Sequence, residues 1–68
     1  MDNDDDIREI VDFLSYSGGW KGTKIIHDHL KEKGFKISRT KLLKILHFYA
    51  EPGQYASIDG IRQKTWIM

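Results

Sequence analysis

The 68-residue sequence contains no cysteine, a single proline and no long apolar run. Without cysteine, neither a disulfide nor thiolate-ligated zinc can hold the chain together, which fits a reducing compartment. Without a stretch of about 20 apolar residues, no membrane span is expected. The N-terminus carries carboxylates rather than basic residues, which argues against a signal peptide. There is no glycine-rich phosphate loop, no nucleophile elbow and no Ser/His/Asp spacing, so no catalytic residue and no cofactor are expected and the chain reads as a non-enzyme. Internal repeats and low-complexity tracts are also missing, so residues 1–68 read as a single domain.

What is present is a small, charged, aromatic-rich chain. Two Trp, three Tyr and three Phe supply large buried areas to a core that must be compact. The net charge of +1 hides an asymmetry. Residues 1–12 hold Asp2, Asp4, Asp5, Asp6, Glu9 and Asp12 against Arg8 alone, whereas residues 13–68 hold ten Lys/Arg against Asp28, Glu32, Glu51 and Asp59. An acidic cap on a basic body points to a polyanionic partner. Surface lysines that only keep the domain soluble are the plain alternative.

Residues 1–4 read as a disordered lead-in to a first helix from about Asp5 to Tyr16, where Ile7, Ile10, Val11 and Leu14 repeat at helical spacing. Ser17-Gly18-Gly19 ends it. Trp20 follows in an extended stretch and reads as a core plug, with base stacking as the sharper alternative. A second helix is expected to start near Gly22 or Thr23, with Thr23 as its N-cap, and to run to Lys33, burying Ile25, Ile26 and Leu30 with His29 alongside. Gly34 stops it, and Phe35 and Ile37 point inward from a short linker. Ser38 caps a third helix with Leu42, Ile45, Leu46 and Tyr49 on its apolar stripe, widened by Leu43 and Ala50. Thr40, Lys44, His47 and Glu51 fall on the opposite side, with Lys41 and Phe48 at the border. Pro52-Gly53 then suits a tight turn. Beyond it the period changes, and Asp59-Gly60 predicts a type I′ hairpin that pairs Ile58 with Ile61, Ser57 with Arg62, Ala56 with Gln63 and Tyr55 with Lys64.

Metal and acid–base sites find little support. The Asp-Asn-Asp-Asp-Asp run at 2–6 lacks the glycine and distal glutamate of a calcium loop. His27 and His29 on one helix point about 200° apart, at about 100° per residue, so they cannot share a metal. His29 is expected at the interface of the second helix and His27 in solvent. Tyr55 and Trp66 are expected to pack the hairpin onto the helices. Phe48 either meets a partner or packs under the Pro52-Gly53 turn, the second being favoured.

The order helix, Trp segment, helix, turn, helix, hairpin resembles the winged helix-turn-helix superfamily. Trp20, Thr23-Lys24-Ile25-Ile26, Leu30, Gly34, Ile37-Ser38-Arg39-Thr40-Lys41-Leu42, Leu46 and the hairpin Tyr55 to Trp66 carry the likeness. The fold class it implies is α+β, a small three-helix winged helix-turn-helix with a C-terminal β-hairpin wing. The Glu51-Pro52-Gly53 break directly before the wing departs from the commonest bacterial-regulator pattern, as does the lack of a further helix for dimerisation after it. The resemblance implies double-stranded DNA as partner, with helix 38–50 in the major groove and hairpin 54–68 as the wing. By position, Thr40, Lys41, Lys44 and His47 would face bases or nearby phosphates. Arg39, Lys21 and Lys24 would meet phosphates, and Arg62 and Lys64 would be the wing contacts. A regulatory, replication or transcription role follows, in the cytoplasm or, with DNA, at the nucleoid or in the nucleus.

The exposed front of the third helix carries no Asn or Gln, the side chains that read base edges in pairs, and its one Arg lies at the start. Binding dominated by the phosphate backbone is therefore expected. A protein-interaction module docking an acidic partner on the same basic front is the alternative. The acidic residues 1–12 could also cover that front, a form of autoinhibition.

Overall fold

The computed structural model describes residues 4–68, in the order α1 (Asp4–Ser17), β1 (Lys21–Gly22), α2 (Thr23–Glu32), α3 (Arg39–Tyr49), β2 (Glu51–Ile58) and β3 (Ile61–Ile67). It is an α+β arrangement of three helices and a three-stranded antiparallel sheet ordered β1-β3-β2. The expected lead-in falls outside the described residues up to Asn3, and α1 begins at Asp4. Ile10 and Leu14 of α1, Ile26 and Leu30 of α2, Leu42, Ile45 and Leu46 of α3, Ile37, Ala50 and Trp66 form one buried cluster. Ile7, Phe13, Phe35 and Leu43 pack at its margin.

The helix boundaries follow local chemistry. Two left-handed glycines, Gly18 and Gly19, release the chain from α1. After α2, Gly34 adopts φ +92°, the amide of Phe35 donates to the Leu30 carbonyl at 2.9 Å and that of Gly34 donates to Lys31 at 3.0 Å. That pair of bonds is a Schellman closure, which satisfies the last free carbonyls. Ser38 caps α3 as expected, its Oγ accepting from the Lys41 amide at 3.2 Å. His27, expected in solvent, is half-buried because its Nε2 donates to the Ile37 carbonyl at 2.8 Å. The imidazole thereby ties α2 to the linker that leads into α3.

α2 starts where expected, but its cap differs. Gly22, not Thr23, is the N-cap, and it offers no side chain. Thr23 is the first helical residue and is buried; its hydroxyl donates to the Lys64 carbonyl at 2.9 Å and accepts from the Trp66 indole N–H at 2.9 Å. A buried indole needs an acceptor, and Thr23 is the one within reach. The cap itself comes from 39 residues away, where Gln63 Oε1 accepts from the Lys24 amide at 2.6 Å. Three hydrogen bonds thus tie the first turn of α2 to the central strand.

The hairpin register is the expected one: Ile58 opposite Ile61, Ser57 opposite Arg62, Ala56 opposite Gln63 and Tyr55 opposite Lys64. Asp59 and Gly60 take φ 54° and 77°, as a type I′ turn requires. Pro52-Gly53 makes no separate turn. Glu51 already pairs with Ile67 and Pro52 with Trp66, and Gly53-Gln54 then form a bulge opposite Thr65. Proline is tolerated there because β2 is an edge strand. β1 pairs Lys21 with Trp66 and Gly22 with Thr65.

Three aromatic expectations fail. Trp20 is no core plug: it is 52% exposed and lies across Gly53 on the sheet. A Cβ on Gly53 would sit 2.5 Å from the indole Cζ3 and 2.6 Å from Thr65 Oγ1, so only glycine lets Trp20 lie flat there. Tyr55 is 59% exposed, because it sits on the outermost strand, beyond the reach of the helices. Phe48 is 79% exposed and meets Tyr49 edge-on at 4.9 Å instead of packing under Pro52-Gly53. Strand β2 leaves α3 directly at Ala50, so no turn hangs over Phe48. The same departure leaves Tyr49 half-exposed at the end of its stripe, and Ile25 stays at the surface beside Phe13 and His29.

Candidate functional site

The front of α3 is built by the same alternation that buries its back. With Leu42, Ile45 and Leu46 committed to the core, Arg39, Thr40, Lys44 and His47 are left exposed. His47 meets the Trp66 ring edge-on, with centroids 4.9 Å apart. The Lys64 ammonium lies 5.4 Å from the centroid of that same ring. One buried indole therefore joins the exposed end of α3 to the basic face of the hairpin. Further along, the Arg62 guanidinium stands 5.6 Å from the centre of the Tyr55 ring, a cation over a π face. Arg62, Lys64 and Trp66 alternate onto one side of β3.

A second group of cations lies at the other end of α3. Arg39 lines one shallow pocket with Lys24 and Lys31 of α2, together with Thr23, His27, Asp28, Gln63 and the hairpin-tip residue Ile61. Lys24 Nζ pairs with Asp28 Oδ2 at 2.8 Å, and that hydrogen bond holds the exposed Asp28 carboxyl below its ordinary range, with the charge of Lys24 adding to it. Lys31 is not among the residues that the sequence singles out. Its i+7 spacing from Lys24 is the signal that could have found it.

Of the nine residues singled out, Lys24 and Arg39 share this pocket, while His47 and Lys64 share the indole. Thr40 and Lys44 are exposed on α3 between the two groups, and Arg62 extends the second. Lys41 turns away from the front. It is half-buried, with its Nζ 3.9 Å from Asp6 Oδ2 of α1. Lys21 is half-buried on β1, opposite Trp66.

The other polar clusters have structural partners. His29 Nε2 lies 2.7 Å from Glu9 Oε2, and its ring stacks on Phe13 at 4.0 Å, so it joins α1 to α2 as expected of an interface residue. No group of three His, Cys, Asp or Glu among the described residues is placed to hold a metal ion. Among them, too, no helix is long and apolar enough to cross a membrane.

The geometry defines a small α+β unit with three helices, a three-stranded antiparallel sheet and a basic front on α3. The chain matches no protein family, no curated protein and no solved structure.

Proposed function

We propose that this chain is a winged-helix DNA-binding domain that holds duplex DNA through the front of α3, with the β2–β3 hairpin as its wing. The observation that carries this reading is the shared Trp66 indole. It sets His47 of α3 and Lys64 of the hairpin on one surface, in the element order the resemblance implies. Arg39 and Lys24 add a second basic group at the other end of α3, and Arg62 extends the first along the hairpin. The contacts are with phosphates, since Lys24, Lys44 and Lys64 are point charges that displace counterions without reading bases. Arg39 is the one planar fork on α3.

Duplex-DNA binding measured over a salt series tests the reading. Removing Lys44 and Arg39 together, or Arg62 and Lys64 together, should weaken binding and flatten the logarithmic salt slope by about 1 for each phosphate no longer neutralised. No binding at low salt, or both pairs binding like the parent chain, overturns it. A protein partner rich in carboxylates is the second reading, favoured by the exposure of Phe48 beside Lys44 and His47. Phe48→Ala separates the two: phosphate-held DNA tolerates it, whereas a protein seated on the ring does not.

A further inference from the structure

The sheet has two edges. β1 is only two residues long, which blunts one of them. The other edge is β2, eight residues long. Pro52 and the Gly53-Gln54 bulge disrupt its first half. Its second half, Gln54 to Ile58, has no charge, no proline and no bulge beyond Gln54, in a chain that is 31% charged. The usual protections against strand pairing are missing where the edge is straightest.

The register shows which backbone groups are open. Ile58 and Ile61 flank a two-residue turn, so they form a hydrogen-bonded pair. Bonding alternates along an antiparallel ladder, so Ile58 and Ala56 turn their N–H and C=O toward β3, while Ser57 and Tyr55 turn theirs outward. Two outward residues flank one inward residue, which is the pattern an antiparallel strand needs to pair with itself.

We propose that β2 pairs with β2 of a second copy of this chain, antiparallel about a two-fold axis at Ala56. Tyr55 then exchanges both backbone bonds with the partner's Ser57, and Ser57 with the partner's Tyr55. Gln54 faces the partner's Ile58, and the two Ala56 methyls meet on the axis. The patch is self-complementary, as a two-fold interface requires. No charge opposes a like charge across the axis, because this half of β2 carries none. Arg62 and Lys64 lie one strand further back. The two copies of β3 stand three strand spacings apart, about 14 Å. Arg62 leans over Tyr55 toward the axis, so the repulsion left between the two copies is what salt screens, over a Debye length of about 8 Å. The product is a six-stranded sheet with both pairs of Arg62 and Lys64 on one face. Its other face keeps the uncharged groove lined by Trp20, Gly53, Ala56 and Thr65.

The pairing is independent of the DNA reading and differs from it in salt dependence. DNA binding weakens as salt rises, whereas strand pairing is unchanged or stronger. Sedimentation equilibrium from micromolar to millimolar protein should show the weight-average mass rising from 8.0 kDa toward twice that value. Over the same range, amide exchange should slow at Tyr55 and Ser57 but not at Ala56 and Ile58. Ser57→Pro removes an outward N–H and leaves the β3 ladder intact, and Ala56→Lys sets two like charges on the axis. Each variant that keeps the parent circular dichroism should remain at 8.0 kDa. A parent chain that stays monomeric at millimolar concentration overturns the proposal. So does a dimer without slowed exchange at Tyr55 and Ser57, or a folded variant of either kind that still dimerises.

Discussion

Thr23 is the residue on which the start of α2 depends. Its hydroxyl both accepts from the Trp66 indole and donates to the Lys64 carbonyl, in a place where water does not reach. Thr23→Val keeps the shape and removes both bonds, leaving a buried N–H and a carbonyl unpaired. The expected loss is about 1–3 kcal/mol, read as a lowered thermal midpoint by circular dichroism. Asp28 makes a different prediction. The Lys24 ammonium holds its carboxyl low in the folded chain, so the pairing stabilises the fold above the ordinary carboxylate range. That contribution fades as pH falls through the folded value. An NMR titration should find Asp28 below the ordinary aspartate value, and Lys24→Met should bring it back up.

At the scale of elements, the bulge of β2 is held by a close approach at Gly53. Gly53→Ala should cost about 1–3 kcal/mol, because its methyl lands on the Trp20 ring and on Thr65 Oγ1. In a Trp20→Ala background the same substitution should cost less, and urea unfolding of the four-membered mutant cycle measures the difference. The elements whose signals are local are legible in the sequence. Ser38 as a cap, Gly34 as a stop, the Leu42-Ile45-Leu46 stripe and the Asp59-Gly60 turn each depend on neighbours within a few residues. Gln63 as the cap of α2, Trp20 lying over Gly53 and Glu51-Pro52 pairing with β3 depend on residues distant in sequence. No periodicity encodes them. Size alone makes Trp20 read as core, but the space it fills is on the far side of the sheet.

For the whole molecule, the sequence places the cations better than it places their neighbours. Lys44, His47, Arg62 and Lys64 stand where the helical and strand periods put them, but the indole that joins two of them reads from sequence only as packing. The helical wheel sets Lys41 at the border of the front, and the reach of Asp6 from α1 draws it aside. That ion pair gives the acidic segment a measurable effect under the DNA reading. Asp6→Asn should tighten duplex binding by less than about fivefold and steepen the salt slope, because a half-buried pair at this long separation is worth at most about 1 kcal/mol. An unchanged affinity would mean that α1 does not compete for the basic front.

The sheet order carries a consequence for the timing of synthesis. β3 comes last of the three strands in sequence and lies in the middle of the sheet. Until Gln63 to Trp66 have left the ribosome, β1 has no neighbour, the first turn of α2 has no cap and Thr23 has no indole to hold. The helices and the two outer strands are thus made before the strand that joins them.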